Sequence, residues 1–400
     1  MESANSPLFE PARLGPIELK NRFIKAATFE GMTHDAIPGE KLTRFHRRLA
    51  EGGIAMTTLA YCATEADGRL HDKMMYLHRG IEDPLRNLVD EIHAAGACVS
   101  GQVVHCGGFS KNRNLQRLKR PLGPSRGINM LGAPAGMPIA GAMGPEDIDA
   151  FVRTFTDAGR LLADVGFDAA EIHFGHGYGL SQFISPKTNR RTDEYGGSLT
   201  NRMRLPLRVL EAFREGAGDG LAVIGKISMT DGVKGGVSWE EGVQVAAMLD
   251  AAGIDGIVTS AGTSSFNPML MFHGDSMAHG LIEQESNPIA RIGLKLFASK
   301  LFREYPYKEI YLLEHAKRVR EAVRCPIVYI GGCATRESAE TLMREGFDFV
   351  QLGRTLLEDP DFVKHAMADP AYVNGCNHCN LCTALIEHPD GIRCVLHDTA

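Results

Sequence analysis

The stretch "EIHFGHGYGL", residues 171–180, sets two histidines and a tyrosine within six positions, directly after "FDAA" (167–170), which reads as the start of a β-strand. Alternate side chains of a regular strand point to opposite faces, so His173 and His176 cannot both face inward on one. They converge if the strand ends near 173 and Gly175 and Gly177 bend the chain. Three chemistries fit the pattern: metal ligation, satisfied buried polar packing, and the polar rim of a cofactor site. H-x-x-H without a third ligand is a weak zinc signal, so the text on either side has to decide.

Working outward, short apolar and β-branched runs recur, each followed by a helical pattern. They read as strands at 22–27, 54–61, 98–105, 167–173, 222–228, 256–260, 326–331 and 349–353. Leu85, Leu88, Val89 and Ile92 share one helical face, as do Phe151, Phe155, Ala158 and Leu162. "SWEE" (238–241) has the form of a capping box, with Ser238 at the cap and Glu241 three residues on. Eight strands alternating with helices imply an α/β fold with a parallel sheet, either closed into a barrel or open and doubly wound. No G-x-G-x-x-G follows a first strand, and "GHGYG" (175–179) has the wrong spacing, so a separate Rossmann domain is not expected. Two long connections, 106–145 and 261–306, each follow a strand and read as binding walls.

Composition narrows the class. Four hundred residues, 44% of them apolar, suffice for one large barrel with extra loops. A formal charge of −6 argues against a nucleic-acid groove. There is no run of 18 or more apolar residues and no basic-then-apolar start, so neither a membrane span nor a secretory leader is expected, and the cytoplasm is the default. Of nine cysteines, Cys62, Cys98, Cys106, Cys325 and Cys333 are scattered and read as small buried hydrophobes.

After the histidines comes "SQFISPKTNRRTDEYGGSLTNRMR" (181–204), a polar, arginine-rich loop with a tight "YGG" turn. Together with "HFGHGY" it closely resembles the flavin-dependent Old Yellow Enzyme family of NAD(P)H:flavin oxidoreductases. "LKNRFIKAA", "GQVVHCGG", "IGGCATRESAE" and "FVQLGRTLLEDPDF" match that family in order, so the resemblance spans nearly the whole chain. It implies a (β/α)8 TIM barrel over residues 1–365, with a cysteine-rich tail at 366–400. It implies FMN held non-covalently at the barrel mouth. The phosphate would then lie on backbone N–H groups of Gly331, Gly332, Cys333, Gly353 and Arg354, helped by the arginine charge. Ala26, Ala27 and Thr28 would pass under the ring, and Ala60 and His173 also fall in the cofactor site. The amide of Gln102 can pair with the pyrimidine edge, and Lys226 would set a cation near flavin N1.

The activity implied is NAD(P)H-dependent reduction of electron-poor alkenes in ping-pong order. His173 and His176 would donate hydrogen bonds to the substrate's carbonyl or nitro oxygen. Tyr178, a phenol with an ordinary pKa of about 10, would protonate the carbon. One position departs from the pattern: many members carry Thr or Cys before Glu30, where this chain has Phe29 preceded by Thr28. An aromatic there cannot donate a hydrogen bond, so either Thr28 takes over or the redox potential and pocket differ.

The tail spacing C-x2-C-x2-C-x11-C, made by Cys376, Cys379, Cys382 and Cys394, fits tetrathiolate zinc or a [4Fe–4S] cluster. The 2,4-dienoyl-CoA reductase and trimethylamine dehydrogenase branches carry a similar set. Those branches continue into further domains, whereas this sequence runs to Ala400, so a cluster here would imply an external electron-transfer partner. That leaves a second expectation, a flavin/iron–sulfur dehydrogenase oxidising an amine or related donor. A homo-oligomer acting on a small molecule, with no nucleic acid or membrane partner, completes the expectations.

Overall fold

The β-branched and apolar runs become the staves of a closed, all-parallel eight-stranded barrel. The computed structural model describes residues 6–33, 35–285 and 288–398. In chain order the staves are β1 (Phe23–Lys25), β2 (Met56–Ala63), β3 (Cys98–Val104), β4 (Ala169–His173), β5 (Ala222–Ser228), β6 (Gly256–Ser260), β7 (Ile327–Tyr329) and β8 (Phe349–Leu352). Each pairs with its successor, and β8 closes on β1 with Val350 opposite Phe23. All eight strands read from the sequence are present, their ends within about two residues of those expected. Closure removes the open-sheet alternative and gives the (β/α)8 architecture.

Helices return the chain outside the barrel. Glu82–Ala94 buries Leu85, Leu88, Val89 and Ile92, and Pro145–Asp164 buries Phe151, Phe155, Ala158 and Leu162. Each large apolar side chain so buried stabilises the fold by about 1.5–3 kcal/mol. Trp239–Ala251 starts at Ser238, whose hydroxyl accepts from the Glu241 N–H as the capping pattern implies, while the Glu241 carboxylate pairs with Arg202. The foot of the barrel is closed by an N-terminal hairpin, Ala12–Leu14 against Ile17–Leu19. Leu14 and Leu19 pack there with Ile24, Met56, Ile224, Val258, Val328 and Phe349. With the foot sealed by apolar packing, the polar chemistry is left to the mouth.

The two long connections fold above the mouth. Residues 106–145 carry three short strands, Leu122–Gly123, Gly127–Ile128 and Ile139–Ala142. Residues 261–306 carry the helices Ala278–Gln284 and Pro288–Leu301. The cysteine tail does not stand apart from the barrel. Asn380, in left-handed backbone, donates to the carbonyls of Phe272 (2.9 Å) and Asp275 (2.8 Å) and accepts from Arg354 (2.6 Å). His378 stacks on Tyr307, and the Ile392 N–H donates to the Glu30 carbonyl. Among the described residues no helix is long and apolar enough to cross a membrane.

Candidate active site

The C-terminal strand ends and the loops above them enclose a cavity of about 410 Å³. Every stave contributes at or near its end: Ala26 after β1, Tyr61 in β2, Gln102 in β3, His173 ending β4, Lys226 in β5, Ser260 ending β6, Ile330 after β7 and Gln351 in β8. This is the face where (β/α)8 enzymes build their sites.

β4 ends at His173, and the bend expected after it is made by His176 (φ 60°) and Gly177 (φ 81°). Gly175 acts differently from the expectation: its backbone lies so close to Ser228 that a Cβ would meet the Ser228 nitrogen at 2.9 Å. The result is convergence. The two imidazoles meet edge-on with centroids 4.9 Å apart, and the Tyr178 ring lies 5.0 Å from His173. The Gly175 N–H donates to Nδ1 of His173 (3.3 Å), which leaves Nε2 carrying the proton of the neutral ring. Nε2 of His176 bonds Oγ of Ser260 at 2.8 Å. Burial, reinforced for His173 by His176 and for both by Lys226, pushes both imidazoles down, His176 to about 3, so both stay neutral donors. Burial raises the Tyr178 phenol to about 12, and its oxygen lies 3.1 Å from that of Tyr61.

At the cavity floor lies a network the sequence only partly disclosed. Lys226 Nζ meets Glu171 Oε1 at 2.8 Å, and the same carboxylate accepts from the Gln102 and Gln351 amides (2.5 and 2.7 Å). All four side chains are almost wholly buried. Glu171 and Gln351 were not singled out, although a charged residue two positions from His173 on an otherwise apolar strand was the available signal. Among the described residues, the amide oxygens Oε1 of Gln102 and Gln351 and the hydroxyl of Thr28 are buried without a hydrogen-bond partner. These orphaned acceptors and the orphaned hydroxyl border the cavity and are what a polar heterocycle would satisfy.

Tyr61 was also missed. The β2–β3 register shifts between Leu59 and Cys62, and Tyr61, inside that irregularity, lines the cavity and stacks on Phe29 at 5.0 Å. Phe29 thus forms wall, and the hydroxyl beside it belongs to Thr28. Ala60 lies outside the cavity lining; its N–H is held by Glu30 (2.9 Å), whose carboxylate also pairs with buried Lys25. Of the two neighbours, it is Tyr61 that lines the cavity, while Ala60 against the cofactor stays an expectation.

Gly331, Gly332, Cys333, Gly353 and Arg354 line one end of the cavity, and Ala26, Ala27 and Thr28 border it too. The N–H groups of Gly332 and Cys333 donate to no protein acceptor among the described residues. Gly332 has φ +75°, and a Cβ there would meet the Tyr311 ring at 2.6 Å, so only glycine fits this cradle. Arg354 stands beside it, steadied by the His273 carbonyl (2.9 Å) and Asn380. Free N–H groups, a glycine cradle, an arginine and orphaned amide oxygens fit a phosphorylated flavin.

Of the tail cysteines, Cys376 and Cys382 line the cavity, all four are free thiols, and among the described residues no group of three or more His, Cys, Asp or Glu is arranged to hold a metal ion. The peptide between them is held by Asn380 and its carbonyl partners, and burial pushes the Cys382 thiol up to about 12, with Cys376, Cys379 and Cys394 near enough to add to the rise. Zinc or iron–sulfur ligation by Cys376, Cys379, Cys382 and Cys394 stays an expectation from their spacing, and the four thiols lie within electrostatic reach of one another.

The family model described as "NADH:flavin oxidoreductase / NADH oxidase family" matches residues 7–264.

This chain belongs to the NADH:flavin oxidoreductase / NADH oxidase family.

As a member of that family it is an oxidoreductase that takes FMN and a nicotinamide co-substrate. Among its relatives, the 4,4'-dithiodibutanoate disulfide reductase of Rhodococcus erythropolis is 38% identical over 400 residues, covering 100% of this chain and 97% of the relative. The NADH oxidase of Thermoanaerobacter brockii is 27% identical over 94% of this chain but only 53% of its own length. The chain thus spans about half of that longer flavin oxidoreductase. A solved 2-naphthoyl-CoA reductase complex superposes with a TM-score of 0.81 at 22% identity, covering 98% of this chain and 57% of the other, which bears on the fold alone.

Proposed function

We propose that this flavin oxidoreductase reduces activated carbon–carbon double bonds at the expense of NAD(P)H, with Tyr178 as the proton donor. The observation that carries the reading is the convergence of His173, His176 and Tyr178 on one cavity beside the glycine cradle. FMN, when bound, supplies two-electron hydride exchange between the nicotinamide and the alkene. Gly332, Cys333 and Arg354 would hold its phosphate, and Gln102, Thr28 and Lys226 would serve its polar groups. The Lys226 cation favours negative charge on them.

The chain's own groups handle the substrate. His173 offers its Nε2 proton to the carbonyl or nitro oxygen, and His176, braced by Ser260, supplies the second contact. Two neutral donors drain electron density from the alkene and make its β-carbon the hydride acceptor. The Tyr178 O–H then gives a proton to the α-carbon, and the Tyr61 hydroxyl can return one to it. The balance is NAD(P)H plus a proton plus the alkene, giving NAD(P)+ and the saturated product.

A second reading is favoured by the full-length likeness to a disulfide reductase. In it hydride goes to one sulfur, the S–S bond breaks, and the departing thiolate lies against the histidines and takes the Tyr178 proton.

Anaerobic stopped-flow separates these readings. Bleaching of the flavin by NADH or NADPH, then reoxidation by cyclohexenone, supports the alkene reading. Reoxidation by a linear dithio-dicarboxylate and not by the enone moves the assignment to disulfides, and no bleaching by either nicotinamide sinks both.

A further inference from the structure

A second cavity, of about 500 Å³, adjoins the reaction cavity and takes no part in the chemistry above. Sequence neighbours line the two cavities in turn. His176 and Tyr178 face the first cavity and Gly177 the second; Ser264 faces the first, and Thr263 and Ser265 the second; Phe109 borders both. Its volume lies within the roughly 300–1,000 Å³ of small-molecule sites.

The lining has a definite charge. Arg126, Lys187 and Arg190 border it, and none of the three pairs with a carboxylate among the described residues. Lys187 reaches only the Lys234 carbonyl (3.3 Å) and the face of Phe266 (5.1 Å), and Arg190 reaches the Arg126 carbonyl (2.5 Å). By contrast the adjacent Arg191 is tied to Asp193. The one carboxyl in the lining, Asp231, is buried against Ser185 and the Val237 N–H. Three uncompensated cations beside two aromatic faces, Phe109 and Phe266, suit a ligand carrying both phosphate and a flat base.

We propose that this second cavity binds the phosphorylated adenosine end of a long reactant, whose other end enters the reaction cavity past Phe109. Two reactants share that chemistry: NADPH and a coenzyme A thioester. The proposal rests on the reading that the chain reduces its substrate with a nicotinamide, but the cavity can be tested without turnover.

The probes are the adenosine bisphosphate half of NADPH and free coenzyme A, each titrated calorimetrically into the FMN-loaded enzyme. At least one binds the wild type. The pair Arg126→Glu with Lys187→Glu weakens that binding by roughly tenfold or more, each exposed charge contact being worth about two- to fivefold and reversal adding repulsion. The neutral pair Arg126→Gln with Lys187→Gln gives an intermediate loss, and added salt weakens the wild type more than either pair. FMN content and cyclohexenone-driven reoxidation stay unchanged in both pairs. A loss confined to the NADPH fragment assigns the cavity to the nicotinamide co-substrate, and a loss confined to coenzyme A assigns it to the oxidising substrate. Wild-type enzyme that binds neither probe, or charge-reversed enzyme that binds as well as wild type, overturns the proposal. A flavin that no nicotinamide bleaches would defeat the reductase reading alone, since the calorimetric arms would still decide the cavity.

Discussion

The Tyr178 phenol lies 3.1 Å from that of Tyr61 and, by burial, is raised to about 12. A phenol held protonated well above neutrality is a proton donor that ordinary buffers cannot exhaust. Tyr178→Phe should therefore slow enone-driven reoxidation by about 10²-fold or more, the range of a lost general acid. Bleaching by NAD(P)H should change little, because no proton moves to substrate in that half. Equal loss in both halves, measured by stopped-flow, would make Tyr178 a packing residue. The same shifts set the pH profile. His176, lowered to about 3, is already neutral above roughly pH 5, and Tyr178 ionises only as pH rises towards its own raised value. Wild-type reoxidation should accordingly be flat from roughly pH 5 to 9, and a break near neutrality would point to a different acid.

At the scale of elements, strand ends and the turns after them build the site. Glu171 on β4 and Lys226 on β5 are buried neighbours, with Gln102 and Gln351 closing the network from β3 and β8. Glu171→Gln removes the charge facing a buried ammonium, and breaking such a pair costs about 3–5 kcal/mol. A denaturation midpoint unchanged by the substitution would show that Lys226 finds compensation elsewhere. After β7, Gly332→Ala forces a Cβ into the Tyr311 ring and a left-handed backbone onto alanine, a backbone penalty of about 1–2 kcal/mol before the clash. The expected result is protein that loses FMN on gel filtration while keeping its helical circular dichroism. Retention of flavin at wild-type levels would separate the cradle from phosphate binding.

Across the whole molecule, the segment after the barrel is part of the site and not an appendage. Cys376, His378, Cys382, Thr383 and Ile392 line the reaction cavity, and Asn380 joins the tail to Arg354 and to the loop after β6. Asn380→Ala cuts three hydrogen bonds at one point, each worth about 0.5–1.5 kcal/mol net. It should speed FMN dissociation, followed by flavin fluorescence on dilution, with little effect on the barrel's own melting. An unchanged dissociation rate would mean the tail covers the mouth without holding it closed.

Alternation of apolar strands with amphipathic helices, and the motifs from 171 to 204, were enough to determine the eight-stranded barrel, the family, and the placing of His173, His176, Tyr178, Lys226 and the glycine cradle at its mouth. These are local or periodic signals, written within one strand or one turn. Glu171, Gln351 and Tyr61 escaped because their roles arise between strands far apart in the chain, where a neighbour's register decides which way each side chain faces. The cysteine spacing showed the opposite limit. Four thiols close in sequence suggested a metal centre; the fold keeps them within electrostatic reach of one another beside the cavity, but among the described residues they form no metal-holding group. Coordination needs convergence of side-chain directions, and those directions come from the contacts of the folded chain.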